Sequence, residues 1–247
     1  MSTALKPLDF SQIPVQRGAD EDYADLAKGA SYLPSLCLFT FLSGPVKNQL
    51  AKPGHYGLVM SKDQVVDLGD SIDILVLARR AKAVDFSVKD DQIISYDRNS
   101  KDFKDIQERS EQAELKAKNK WGVSFLVLER GTGRLAEFFC NTASLRPEAG
   151  KLFDFMTLTA DDIERKEAAD IDVSKLQPHG PLPVTLKSRL KERGEQSWHV
   201  PIVLPCSTPI TRGPDVEEIA AEIAKFITAK STGETVDEPE TRSKRKR

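Results

Sequence analysis

Alternation of apolar and polar side chains is sharpest between residues 183 and 204. Val184, Leu186, Ser188 and Leu190 point one way along a strand, while Thr185, Lys187, Arg189 and Lys191 point the other. Glu192-Arg-Gly-Glu195 is a reversal in which Gly194 is free to take positive φ, and the return strand begins with Trp198 and His199. A β-hairpin with one cationic face is therefore expected here. Upstream, residues 32–42 form a Leu/Phe-rich run that reads as a buried strand, followed by turns at Gly44-Pro45 and Pro53-Gly54. A meander of short strands then covers residues 55–60, 64–68, 71–79 and 93–96, with reversals at 61–63 and Gly69-Asp70. Strands at 121–129 and 134–140 flank Gly131-Thr-Gly133. Short strands at a spacing of about ten residues, separated by Gly/Asp turns, point to an antiparallel barrel or sandwich.

Helical periodicity appears in three places. Residues 100–119 carry Phe103, Ile106 and Leu115 on an otherwise Lys/Glu-rich surface. Residues 144–156 open with Pro147 near the first turn, where proline is tolerated. Asp215 caps a final helix whose stripe is Val216, Ile219, Ala220, Ile223, Phe226 and Ile227, and which is expected to pack on the sheet. The polar segment 1–30 reads as a loosely held arm, and 230–247 as a disordered tail, acidic at Glu234–Glu240 and basic at its end. No internal repeat is present.

Charge adds a constraint. The 247-residue chain has a net charge of -2, so any attraction to a polyanion must come from local clustering. Cys37, Cys140 and Cys206 have no paired spacing and read as buried free thiols of a reducing compartment. No charged-then-apolar leader opens the chain, and no apolar run approaches ~18 residues, so no membrane contact and a cytoplasmic location are expected.

Enzyme motifs are missing: there is no Walker-type loop, no G-x-S-x-G and no H-E-x-x-H. His55, His179 and His199 lack metal-ligand spacing, and Asp67 and Asp73 read better as turn formers than as ligands. No catalytic residue, metal or cofactor is expected. Three basic-aromatic groups remain. Arg79, Arg80 and Lys82 end the strongest strand, with the two arginines on opposite faces; one could grip a phosphate, or they could form a rim charge pair with Asp85. Trp121 and Phe125 neighbour Phe138 and Phe139, and adjacent phenylalanines must face opposite ways, leaving Phe139 or Trp121 for stacking unless a helix covers them. The row Lys187, Arg189, Lys191 with Trp198 is the strongest of the three. Cations beside an aromatic track phosphates and stack an unpaired base, although a solvated sheet face alternates in the same way.

Several segments together resemble phage and prophage proteins of the single-stranded-DNA-binding type. They are Gly54-His-Tyr-Gly-Leu-Val59, Asp67-Leu-Gly-Asp-Ser-Ile-Asp-Ile-Leu-Val-Leu-Ala-Arg-Arg-Ala-Lys-Ala83, Ile94-Ser-Tyr-Asp97, Phe103-Lys-Asp-Ile-Gln107, Phe125-Leu-Val-Leu128, Trp198-His-Val-Pro-Ile-Val203 and Pro205-Cys-Ser-Thr-Pro209. The resemblance covers roughly residues 32–228. It implies an α+β, mainly β fold: an OB-like antiparallel β-barrel with inserted and C-terminal helices, occupying residues 31–229 as one domain. It implies a non-enzymatic partner of single-stranded DNA in replication or recombination, working with the proteins of those processes in a bacterial host cytoplasm. Lys187, Arg189, Lys191 and Arg79, Arg80 or Lys82 would then follow phosphates, while Trp198 and Phe139 or Trp121 stack bases. The tail departs from the acidic tails of many such proteins because it ends in Lys244-Arg-Lys-Arg247. The competing expectation is a structural or protein-interaction component that forms a homo-oligomer.

Overall fold

From Ile74 to Ala78 every side chain is apolar and buried, in the middle of a 15-residue strand running Ser71–Asp85. Residues 125–128 repeat the pattern. A strand apolar on both sides has to be covered on both faces, which a one-sided sheet cannot do. The computed structural model shows how. It describes residues 33–61, 63–87, 93–142, 144–157, 183–206, 210, 212–229 and 231. The arm expected at 1–30, residues 158–182 and the charged tail from 232 lie outside them.

In chain order the first elements are β1 (Ser35–Leu38), α1 (Gly44–Lys47), β2 (Tyr56–Val59), β3 (Val65–Gly69) and β4 (Ser71–Asp85). Then come β5 (Ile93–Ser95), α2 (Lys101–Glu111), β6 (Asn119–Glu129), β7 (Arg134–Cys140) and α3 (Arg146–Thr157). The hairpin β8 (Pro183–Arg193) and β9 (Gln196–Pro205) follows, and α4 (Val216–Thr228) closes the series. These form two compact units, one of the described residues through Lys82 with Gly122–Ala229, the other of Ala83–Trp121 and Ser231.

In the first unit the strands lie in the order β3-β2-β1-β7-β6-β4-β8-β9. The hairpins β6/β7 and β8/β9, the meander β1/β2/β3 and the β4/β8 pair are antiparallel. Strand β1, however, lies parallel to β7, with Leu36 opposite Phe138. The fold is thus mainly β with helices, as expected, but its sheet is mixed rather than antiparallel. Its pairings among the described residues leave β3 and β9 at the two ends.

One face of β4 and β6 (Ile74, Val76, Phe125, Val127) packs with Ala149 and Leu152 of α3. The opposite face (Leu75, Leu77, Leu126, Leu128) packs with Ile219 and Phe226 of α4. Helix α4 starts where the sequence places it, with the Asp215 carboxylate accepting the Glu218 N–H at 2.8 Å. In β4, Leu77 and Ala78 both join the α4-side cluster, so the alternation slips there by one position. Arg79 consequently emerges on the α3 side and Arg80 on the α4 side.

The second unit contains β5 on the end of β4, with Val84 opposite Ile94, and helix α2. Ser100 caps α2 by accepting the Phe103 N–H, and Phe103 and Ile106 are buried. The helix stops at Glu111 instead of running to 119, because Gln112 takes extended backbone (ψ 125°). No apolar residue after Ile106 is buried on this helix, so continuing it would cover nothing.

Candidate nucleic-acid interface

The hairpin is built as its sequence dictates. The last pair is Arg193 with Gln196, and Gly194 takes φ 61° in the turn. Lys191 stands opposite Trp198, Arg189 opposite Val200 and Lys187 opposite Ile202. Directly opposed residues of an antiparallel pair share a face, so a cationic strip on β8 lies beside an apolar strip on β9. Val200 is its buried floor and Trp198 and Ile202 are half-buried, whereas Lys187, Arg189 and Lys191 are exposed. None of the three cations has a hydrogen-bond or ion-pair partner among the described residues. Arg193, read from the sequence as part of the turn, continues the same row by parity.

The reverse face holds the hairpin down. His199 lies 3.1 Å from Ser188 Oγ through Nδ1, and its ring centroid is 5.7 Å from that of Phe41. Burial, helped by nearby His55, lowers the His199 pKa and so favours the neutral ring. The ring rests on Gly54, where a Cβ would come 2.3 Å from Cε1 and where φ is +80°. Gly54→Ala should therefore lower stability by roughly 1–3 kcal/mol through strain and displacement of His199, read as a drop in Tm.

The outer edge of β9 has few free donors over residues 201–205. Ser188 donates its N–H to the Asp70 carbonyl on the β4 side, so the main-chain groups of its partner Pro201, and of Val203 and Pro205 at the same parity, point away from β8 although the Pro201 and Val203 side chains are buried. The prolines offer no N–H there, and the Val203 N–H is held by Glu148 at 3.3 Å.

The second group of cations is engaged within the fold. Glu137 accepts from Arg80 Nη2 at 2.9 Å, Lys82 Nζ at 2.6 Å and Ser124 Oγ at 2.6 Å. Burial raises the Glu137 pKa, but the charges of Lys82 and Arg80 and the hydrogen bonds from Lys82 and Ser124 outweigh it and hold the group below its ordinary value. For Lys82 burial prevails and the pKa is lowered despite Glu137. Arg80 also donates to the Phe226 carbonyl at 2.7 Å, satisfying the end of α4, and stacks 4.0 Å over that ring. Arg79 sits 3.3 Å over Phe153. Asp85, the alternative partner read from the sequence, binds Arg109 of its own unit at 2.6 Å.

Among the aromatics, Phe125 and Phe138 are core. Phe139 is half-buried with the Lys82 ammonium 5.2 Å above its ring. Trp121, half-buried, belongs to the second unit. The sequence-derived set therefore separates: Lys187, Arg189, Lys191 and Trp198 share one face, while Arg80, Lys82 and Phe139 belong to the Glu137 network.

Asp67 takes His55 at 2.8 Å and the Gly69 N–H, and Asp73 takes Arg130 at 2.7 Å and the Thr185 hydroxyl at 2.6 Å. Among the described residues no group of three or more His, Cys, Asp or Glu side chains could hold a metal ion. Among them, too, no helix is long and apolar enough to cross a membrane. The chain matches no protein-family model, no curated protein and no solved structure.

Proposed function

We propose that this protein binds single-stranded DNA without sequence preference, through the exposed face of the β8/β9 hairpin. The observation that carries the reading is the row Lys187, Arg189, Lys191, exposed and unpartnered among the described residues, with half-buried Trp198 on the same face. Alternate residues on a strand repeat about every 7 Å, close to the step of one extended nucleotide, so each cation can meet a successive phosphate. Trp198 beside them supplies a platform for a base, which is tolerant of sequence because every base has a π-face. With a net charge of -2, the chain has no bulk attraction, so binding depends on this strip. The resemblance to phage single-stranded-DNA-binding proteins supports a place in replication or recombination. The OB-type closure it implies is not needed for this mechanism, because the hairpin face alone presents the contacts.

Fluorescence anisotropy with labelled oligo-dT and a duplex control tests the reading. Three phosphate contacts give a salt slope of about -2, and hence about a twenty-fold loss of affinity between roughly 50 and 200 mM salt. Lys187→Ala with Arg189→Ala should lower that slope by about 1.4. No binding at low salt, or a double variant that binds as wild type, would sink the proposal. A second reading, a protein-interaction component, draws on Phe41 (50% exposed) and Leu42 (78% exposed) beside the hairpin's anchored face. Self-association in light scattering that Leu42→Ser abolishes would favour it.

A further inference from the structure

The sheet face that carries the cationic row continues past Lys187 onto β4. The direct partner of Lys187 on β4 is Ser71, and the next pair on that face is Asp73 with Thr185, joined at 2.6 Å. Ser71 and Asp73 line an open cleft of about 460 Å³, together with Leu68, Ile72, the turn Glu129–Thr132 and Arg212. A cleft of that size is within the range that holds a nucleotide-sized ligand.

Its charges are not equivalent. Glu129 is committed to the turn, accepting the N–H groups of Gly131 at 2.6 Å and Thr132 at 2.7 Å. Arg130 and Asp73 neutralise each other at 2.7 Å. Arg212 is exposed and has no hydrogen-bond or ion-pair partner among the described residues; Glu129 balances it in the charge count of the cleft, but spends its oxygens on the turn and leaves the guanidinium's donors unused. Half-buried Leu68 contributes apolar surface, while Ile72, which also lines the cleft, is buried in the core on the α3 side. An unpaired guanidinium and a serine hydroxyl beside apolar surface suit a phosphate with its attached sugar and base.

We propose that this cleft is the continuation of the hairpin track, taking the nucleotide that follows the one at Lys187, with Arg212 on its phosphate. The inference rests on the single-strand reading and extends the footprint from β8 to the β6–β7 turn. A strand too short to reach from Trp198 past Lys187 would not touch Arg212, whereas a longer one would.

Arg212→Ala and Arg212→Lys are titrated by anisotropy with labelled oligo-dT of about 4 and about 12 nucleotides, within the site sizes of such proteins. Arg212→Ala is expected to weaken the longer oligonucleotide several-fold and to lower its salt slope by about 0.7, one phosphate contact. The shorter one should be unaffected, and Arg212→Lys should restore the slope because it keeps the charge. An unchanged Tm would show that the variant is folded, as expected for an exposed side chain without described partners. If Lys187→Ala with Arg189→Ala weakens the longer strand while Arg212→Ala leaves its affinity and slope untouched, the cleft is not on the track and the hairpin reading stands. If the wild type binds neither oligonucleotide, both fall together.

Discussion

Glu137→Gln is expected to destabilise the protein by about 3–5 kcal/mol, the usual consequence of removing one partner from a buried ion cluster. The carboxylate is only 14% exposed and faces two cations, Arg80 at 13% and Lys82 at 12%. With glutamine in place both remain, desolvated, with their countercharge gone. For a chain of this size such a loss lowers Tm by roughly 6–20 °C. Lys82→Met alone should cost less, because Arg80 still neutralises Glu137. In the Glu137→Gln background Lys82→Met should recover part of the loss, since it removes an orphaned cation; a double-mutant cycle measures the coupling. Strictly additive effects would show that the three groups do not act as a network.

The same carboxylate gives the protein a pH-dependent acid limb. Its folded pKa is held below its ordinary value of 4.5, so between the two values the unfolded chain binds more protons and stability rises with pH. The contribution is complete above the ordinary value and is lost as pH falls through the folded one. Glu137→Gln should flatten that part of the stability profile, measured by urea unfolding across acid pH.

Gly122→Ala is expected to be the most damaging single-methyl change, costing about 3 kcal/mol or more, at the upper end of overpacking effects. A Cβ at this position would lie 2.1 Å from the Cys140 carbonyl oxygen and 3.1 Å from Asn141 Cα. Backbone cannot rotate aside as a side chain can, so the end of β7 must separate from β6. Loss of cooperative unfolding or a fall in Tm of roughly 6 °C or more would confirm it. A variant as stable as wild type would show that this end of the β6/β7 ladder is slack.

The two effects sit on different kinds of residue. Glu137 acts through long-range charge pairing, between strands far apart in sequence, and Gly122 through close approach of neighbouring strands. Neither could be singled out from spacing alone. Glu137 alternates along β7 like any outward-facing acid, and Gly122 follows Trp121 in an unremarkable strand. The Arg79-Arg80-Ala-Lys82 cluster was legible as a cationic patch, but its partners come from β7 and α4, more than fifty positions away.

What the sequence by itself determined was local: the hairpin with its turn at Gly194, the Lys187–Arg189–Lys191 row on one face with Trp198, the Asp215 cap, the amphipathic stripe of α4 and the positions of most strands. These follow from side-chain period, turn chemistry and capping, which act over a few residues. The continuous apolar runs at 74–78 and 125–128 already announced a sheet covered on both faces, a sign that the alternation of the outer strands obscured. Tertiary structure decided the rest: the parallel β1/β7 contact, the strand order, the separation of bound cations from those without a partner among the described residues, and the cleft that Ser71 shares with Arg212. Those depend on which faces meet in three dimensions, where burial and charge pairing between distant segments prevail over local preference.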